Sequence, residues 1–407
     1  MLKRSFFKLS GPRLYYSSIK EDVAIKEIPL PSKAAIFLEK DNTRPTKVYE
    51  YIGKQLKTGQ KIDLGEVSLV SPVTGTIRQV SEQTGYLNKR YYSLSIDTVE
   101  DEWVEISNEY MPASIPGYKN MSSLLGFDPP VNHVMVMGAD LDLFVTTNQL
   151  ALRERIEDIV KGINYIHRVA KIGKVSLIIP PDLISYVEDL GYDFYVIKPR
   201  YPNSIPKLVI KTIFKEPIPL GKETRDMGIE FISSEAVANL GCLAEGTLIF
   251  DKLITVIKKD YSTLHIKARV GTPIGYILDV LGIEVLEGDR IVIGGPMRGK
   301  TIHSLDMPVD YDTDAIFIQD RGEIIYASDT HCINCGECVK VCPVNVPVNM
   351  LVRVLENGLF EEAAKEYDLL SCIECGLCSY VCIARIPVFQ YIMLGKYELS
   401  KMGEENV

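Results

Sequence analysis

Two stretches near the end of the chain constrain its fold more than any others: HCINCGECVKVCP at 331–343 and SCIECGLCSYVC at 371–382. Each sets four cysteines at one spacing, Cys332, Cys335, Cys338 and Cys342 in the first and Cys372, Cys375, Cys378 and Cys382 in the second. Of the nine cysteines, only Cys242 lies elsewhere. An odd total, clustered this tightly and with no secretory signal, argues against a disulfide framework. It points to thiolates that hold metal in a reducing compartment.

The spacing selects the metal. Structural zinc takes two cysteines from each of two separated knuckles. Here the first three thiols of each set stand three residues apart on one tight loop. That suits an iron–sulfur cubane, whose iron corners each need a separate thiolate. Gly336 and Gly376 follow the second cysteine of each set, where a side chain would crowd the inorganic sulfide and a bare N–H can bond to it. In two-cluster ferredoxins the fourth cysteine ligates the other cluster. The spacing therefore predicts one [4Fe–4S] cluster on Cys332, Cys335, Cys338 and Cys382, and a second on Cys372, Cys375, Cys378 and Cys342.

Between the two sets, 347–357 carries apolar residues at helical spacing with Gly358 as a stop, and FEEAAKEYDLL at 360–370 is rich in helix formers. Two short helices folding back would bring Cys342 beside the second trio, giving a helical ferredoxin domain rather than a βαβ one. Pro343 follows the first set; Ile383 stands in that place after the second, which loosens the turn without removing a ligand. Two clusters held close make a one-electron relay, tuned by hydrogen bonds and burial.

At 407 residues, 46% hydrophobic and 24% charged, the chain has room for several folded domains. A net charge of −9 disfavours nonspecific nucleic-acid binding. No apolar run reaches the roughly 18 residues of a transmembrane helix. The N-terminus is basic and free of acids up to Glu21, but its apolar run is too short for a secretory signal, and Gly11 and Pro12 read as loop punctuation.

Residues 30–100 alternate apolar and polar, with turns at Thr58 and Gly59 and at Thr74 and Gly75, the mark of a small all-β unit. SPVTGTIRQV at 71–80 resembles the hairpin of biotinyl and lipoyl carriers, a barrel-sandwich hybrid; residues 72–75 lack the carrier lysine, so its role is structural.

Residues 131–245 read as βαβαβ. The strands are HVMVMGAD at 133–140, KVSLIIPP at 174–181 and FYVIKP at 194–199. One amphipathic helix at 149–170 places Leu152, Ile156, Ile159 and Ile163 on one face, and a second lies at 183–191. The pattern predicts a parallel sheet, with any ligand at the carboxyl ends of its strands.

IGGPMRGK at 293–300 ends a strand with no helix behind it, so it reads as a tight turn, not a phosphate loop. Cys242 reads as a small buried hydrophobe. His331 reads as a surface neighbour of the first ligand. Lys340 and Arg385 stand close enough in sequence to offset cluster charge or meet an acidic partner. No catalytic triad, metallohydrolase motif or Walker loop is present.

With these pieces in place, the tail resembles that of the C subunit of the Rnf complex, an ion-translocating ferredoxin oxidoreductase. The resemblance extends to EIPLPSKAAIFL at 27–38, LKTGQKIDLGEVSLVSPVTGTIRQV at 56–80, KPRYPNSIPKLVIKTIFKEPIPLG at 198–221 and VGTPIGYILDVLGIEVLEGDRIVIGGPMRGK at 270–300. It implies a multidomain α/β protein: an N-terminal arm and barrel-sandwich hybrid over 1–104, a Rossmann-like parallel α/β domain over 105–245, a β-grasp (SLBB-type) domain over 246–325, and a helical two-cluster ferredoxin domain over 326–407. It also implies a peripheral subunit on the cytoplasmic face of the membrane. There the protein would relay electrons beside other Rnf subunits and a ferredoxin or ferredoxin-like subunit; the altered glycine loop, with Leu124 and Leu125 where glycines are needed, points to a cytochrome or quinone as acceptor in place of NAD.

One departure bears on the chemistry. Family members that handle NADH carry Gly-Gly-Ala-Gly-Phe-Pro before the first parallel strand, where bare backbone cradles cofactor phosphates. This chain has MSSLLGFDPPVNHV at 121–134, with Leu124 and Leu125 in place of glycines and only Gly126 and Phe127 kept. The family's next segment, Gly-Ala-Glu-Cys-Glu-Pro-Tyr, is here Gly138, Ala139, Asp140, Leu141, Asp142, Leu143 and Phe144. Asp140 and Asp142 are the residues through which FMN and NADH would bind; the alternative is that they cap the following helix.

Overall fold

A computed structural model describes residues 12–40, 45–64, 68–105, 112–119, 121, 124 and 130–404. The basic stretch 1–11, Leu125, Gly126 and Phe127 lie outside these. The chain forms two compact units, one of Tyr16–Pro199 with Thr224–Arg321, the other of Arg200–Glu223 with Gly322–Val407 and the residues before Tyr16.

The first unit holds three larger sheets. His133–Met137, Lys174–Ile179, Asp193–Val196 and Ile229–Ser233 make a four-stranded parallel sheet in the order Asp193–Val196, Lys174–Ile179, His133–Met137, Ile229–Ser233. All five residues of His133–Met137 are buried, as expected of an inner parallel strand covered on both faces. The fourth strand escaped the sequence reading because it is short and contains a charged residue, Glu230; the structure pairs that carboxylate with Arg225.

The helix expected over 149–170 is two helices, Thr147–Glu154 and Ile156–Tyr165, followed by a wider turn at Ile166–Ala170. Arg155 leaves the helical region, with φ −130 and ψ 34, and its guanidinium donates to Asn239 Oδ1 at 2.7 Å and to Cys242 Sγ at 3.1 Å. Cys242 is accordingly half-buried against a charged group, not the buried hydrophobe expected.

The helices Ile156–Tyr165 and Ser234–Ala244 cross closely because each brings a glycine to the contact. A Cβ on Gly162 would stand 1.9 Å from Val237 O, and one on Gly241 would stand 2.0 Å from Asp158 O. Around them lies the largest core, with Val134, Val136, Ile159, Ile163, Leu177, Val237 and Leu240.

Lys33–Glu39, Arg90–Thr98, Gly75–Thr84 and Gln55–Leu56 form an antiparallel sheet, flanked by the pair Lys61–Asp63 and Ser68–Val70. The third sheet has six strands in the order Ile25–Glu27, Thr263–Arg269, Asp251–Ile257, Ala315–Gln319, Arg290–Ile293, Lys300–Thr301. Ile274–Leu281 buries Ile274, Ile277 and Leu278 in the same core as Ile254, Ile266 and Ile316 of this sheet. The glycine-rich 293–300 segment is a hairpin turn joining two paired strands, as its lack of a following helix predicted.

The second unit is helical. Its elements are Pro206–Phe214, Glu337–Val341, Val348–Glu356, Phe360–Glu366, Leu377–Tyr380 and Val388–Glu404. The helices between the cysteine sets fall where periodicity placed them, and Gly358 ends the first at φ 70. Val388–Glu404 folds back onto Val348–Glu356 through Gly395, where a Cβ would stand 2.5 Å from Leu355 Cδ2. Cys332, Cys338, Cys342, Cys372, Cys378 and Cys382 pack into a single core with Leu351, Val352, Ile386 and Ile392. The coarse architecture is thus multidomain α/β with a C-terminal helical region.

Candidate metal centre

The two cysteine loops share one backbone design. In the first, Asn334 and Gly336 take left-handed conformations at φ 54 and 74; in the second, Glu374 and Gly376 do so at φ 57 and 70. Each glycine then opens a short helix that carries the third cysteine. Beyond the fourth cysteine, Asn345 and Arg385 repeat the left-handed turn at φ 60 and 56. Backbone N–H groups point at sulfur in the same places: Val346 N–H donates to Cys342 Sγ and Ile386 N–H to Cys382 Sγ, each at 3.4 Å. Glu374 N–H donates to Cys372 Sγ at 3.4 Å. Loops wound through left-handed residues turn their amides inward, which suits an anionic sulfur-rich group.

The chain brings the fourth cysteines across. Cys332, Cys335, Cys338 and Cys382 line one pocket, with Val352, Ile386 and Val388 among its walls. At the other loop, burial first and then the nearby Cys372 and Cys342 sulfurs push the Cys375 thiol up to about 12. Burial also drives Cys338 up to about 11 and holds Cys378 well above the ordinary thiol range, with Cys372 and Cys375 adding to the latter. Cys378 also feels the Cys338 sulfur, and both sets contribute to one core.

Among the described residues no three His, Cys, Asp or Glu side chains meet closely enough to hold a single metal ion. The thiols surround a space instead of converging on a point. An all-sulfur donor set, buried and ringed by amides, fits a cubane cluster, whose iron supplies the positive charge that buried thiolates need.

The two loops differ in their surroundings. Cys335 is exposed and Ile333 beside it is 60% exposed, whereas Cys375 and Cys378 are each only 8% exposed. Asn334 in the first loop accepts from Asn349 Nδ2 at 2.7 Å. Its counterpart Glu374 instead takes an ion pair from Lys396 at 2.7 Å, and Lys396 also donates to Cys372 O at 2.7 Å. The Tyr201 hydroxyl donates to Cys375 O at 2.6 Å.

Neither Lys396 nor Tyr201 was found from sequence. A signal existed for Lys396, which falls on the buried stripe begun by Val388 and Ile392 at helical spacing. Of the residues that were singled out, Lys340 spends its charge on Glu337 at 3.1 Å, and His331 and Arg385 are exposed.

Asp140 and Asp142 lie in the first unit, 2% and 5% exposed. Asp140 accepts from Asn148 N–H at 2.8 Å and from Gln149 Nε2 at 3.0 Å, at the start of the helix Thr147–Glu154. Asp142 accepts from Leu143 N–H at 2.7 Å, Met297 N–H at 3.1 Å and Arg298 N–H at 2.7 Å. A Cβ on Gly295 would stand 2.4 Å from Asp142 Cγ, so the glycine-rich hairpin is shaped around this carboxylate. Burial raises Asp140 to about 7 and Asp142 to about 6, against the pull of these N–H donors. Every oxygen of both carboxylates already accepts a protein N–H, and Leu124, 4% exposed, fills the core beside Met121 and Val131. Asp140 thus caps the helix Thr147–Glu154 and Asp142 holds the hairpin at 293–300, while the segment 125–129 lies outside the described residues.

A family described as 4Fe-4S dicluster domain matches residues 324–383. The chain is 24% identical over 377 residues to the C subunit of the ion-translocating oxidoreductase complex of Buchnera aphidicola, covering 84% of this chain and 79% of that one. It is 26% identical over 424 residues to the C subunit of the proton-translocating ferredoxin:NAD(+) oxidoreductase complex of Clostridium ljungdahlii, covering 93% and 91%. Among solved structures, NAD+-reducing [NiFe]-hydrogenase in the H2-reduced state overlays 65% of this chain and 56% of its own at 12% identity and a TM-score of 0.42, a likeness too slight to carry an argument.

Proposed function

We propose that this chain, a relative of the C subunit of Rnf-type complexes over most of its length, is the peripheral iron–sulfur subunit of such a complex and relays electrons drawn from ferredoxin oxidation that drives ion translocation. The observation that carries the reading is the convergence of Cys382 with Cys332, Cys335 and Cys338 around one cavity. A pair of cubane clusters accepts and releases one electron at a time. Cys332, Cys335, Cys338 and Cys382 would hold one, and Cys372, Cys375, Cys378 and Cys342 the other.

The surrounding protein does the rest. Leu351, Ile386 and Ile392 exclude water, the amides of Glu374, Val346 and Ile386 meet sulfur, and the core that Cys338 and Cys378 share keeps the two sites adjacent.

The other assignments follow the family order: a barrel-sandwich hybrid in 1–104, a Rossmann-like domain in 105–245, a β-grasp domain in 246–325 and the ferredoxin domain in 326–407. Among the described residues no helix is long and apolar enough to cross a membrane. Attachment to the cytoplasmic face would therefore run through partner subunits. With the carboxylates of Asp140 and Asp142 already engaged, the acceptor is one that partners supply, a cytochrome or a quinone. Anaerobic purification with iron and acid-labile sulfide analysis, followed by a reductive titration, tests the reading. Two reversibly reduced clusters are expected; negligible iron and sulfide would overturn it.

A further inference from the structure

Arg200–Glu223 is a basic segment in an acidic protein. The whole chain carries a net charge of −9, yet this stretch holds Arg200, Lys207, Lys211, Lys215 and Lys222 against only Glu216 and Glu223. It belongs to the same compact unit as the cysteine loops. The Tyr201 hydroxyl ties its start to Cys375 O at 2.6 Å, and Gly221, near its end, stands against Leu370.

Between the segment and the second loop opens a shallow recess. Lys207, Lys211 and Lys222 line one side, and Leu370, Ser371 and Ile373 line the other. Ser371 and Ile373 flank Cys372, so the wall of this recess is the second cluster loop itself. Lys207 is paired with Glu223 at 2.6 Å, but Glu223 is 68% exposed, and an ion pair open to solvent on one side exchanges partners at little cost. The cavity at the first loop has no lysine among its lining residues and includes Glu337 instead.

We infer that this lysine-lined recess docks the acidic face of a one-electron carrier protein, whose carboxylates meet Lys207, Lys211 and Lys222 while its apolar surface covers Leu370 and Ile218. The inference rests on the relay reading above and adds which end of the relay meets a mobile partner. An acidic carrier is repelled by most of a chain of its own sign and is steered to this basic recess, so it arrives oriented toward Cys372. One electron leaves the reduced carrier, which is oxidised, and enters the group held by the second cysteine set, which is reduced; no proton or bond changes hands. A bilayer of anionic lipid is the poorer occupant, because these lysines line a recess that a flat surface does not enter.

The test uses the full chain, prepared anaerobically with its clusters, and an acidic two-cluster ferredoxin as probe. Carbodiimide coupling followed by peptide mapping is expected to join ferredoxin carboxylates to Lys211 and Lys222. Titration calorimetry is expected to show affinity falling with salt, and falling about tenfold or more in a Lys211→Glu/Lys222→Glu variant that keeps its iron and sulfide. The Lys211→Arg/Lys222→Arg variant should retain it. Affinity unchanged by the charge reversal, couplings that map elsewhere, or lysine-dependent sedimentation with phosphatidylserine vesicles in place of ferredoxin binding would each overturn the docking site. Binding through these lysines by a protein whose clusters cannot be reduced would overturn the relay reading and leave the docking site standing.

Discussion

Lys396 Nζ donates to the carbonyl oxygen of Cys372 at 2.7 Å and to Glu374 Oε1 at the same distance, placing a half-buried cation against one cysteine loop and not the other. Positive charge favours the more negative, reduced form of a cluster. Replacing Lys396 by Met is therefore expected to lower the reduction potential of the second site by tens of millivolts. The corresponding energy is about 1–2 kcal/mol for unit charges on the order of 10 Å apart at an effective dielectric of about 20. An EPR-monitored redox titration checks this; an unshifted second site, or equal shifts at both, would count against it.

The crossing of the fourth cysteines makes a prediction that sequence order alone would reverse. Cys382→Ser is expected to disturb the cluster held by Cys332, Cys335 and Cys338, and Cys342→Ser the one held by Cys372, Cys375 and Cys378. Because the Lys396 neighbourhood tags the second site, EPR can tell which signal changes. Loss of the second-site signal in Cys382→Ser would show that each loop keeps its own fourth ligand.

Asp142 anchors a hairpin. Its carboxylate accepts the Met297 and Arg298 N–H groups, so Asp142→Ala, which removes this acceptor, is expected to cost about 3 kcal/mol and lower Tm with iron content unchanged. A variant of wild-type stability that had lost bound flavin would instead return Asp142 to a nucleotide site.

Asp140 should make stability depend on pH. Burial raises it from 3.8 to about 7, so between those values the folded state holds a proton that the unfolded chain has released. Its contribution to stability is thus lost as pH rises through that window. Asparagine cannot ionise, so the stability of Asp140→Asn relative to wild type should improve from pH 5 to pH 8, by about 1.4 kcal/mol per unit inside the window. His133 and His265, held down to about 4 by burial, titrate in both proteins and drop out of the difference. Parallel denaturation curves at the two pH values settle the matter, and a constant difference would refute it.

Gly162→Ala is expected to destabilise the first unit by about 2 kcal/mol or more, since the added methyl meets Val237 O and the helices must separate. Thermal unfolding that left this variant as stable as wild type would show that the helix pair yields easily.

What the sequence disclosed follows from the range of each signal. The cysteine loops, the short helices after them and the parallel strands are local patterns, and His133–Met137 and Val348–Glu356 lie where residue periodicity puts them. The engagement of Asp142 by Met297 and Arg298, and of Cys372 by Lys396, joins segments far apart in the chain, and no window of neighbouring residues contains it. Glu230 hid its strand for a different reason: its partner Arg225 is close in the chain, but the pair forms only on folding. The break at Arg155 belongs with the engagements across distant segments, as its partners Asn239 and Cys242 sit on another helix.

The left-handed residues recur in matching places of both cysteine loops, at Asn334 and Glu374, Gly336 and Gly376, Asn345 and Arg385. That correspondence means that one backbone winding serves both half-sites. The shared turns fix that winding, while the flanks, where Glu374 faces Lys396 and Asn334 faces Asn349, make the two loops unlike. A tail built this way acquires a polarity, a front and a back for charge flow, without altering the shared winding of its two loops.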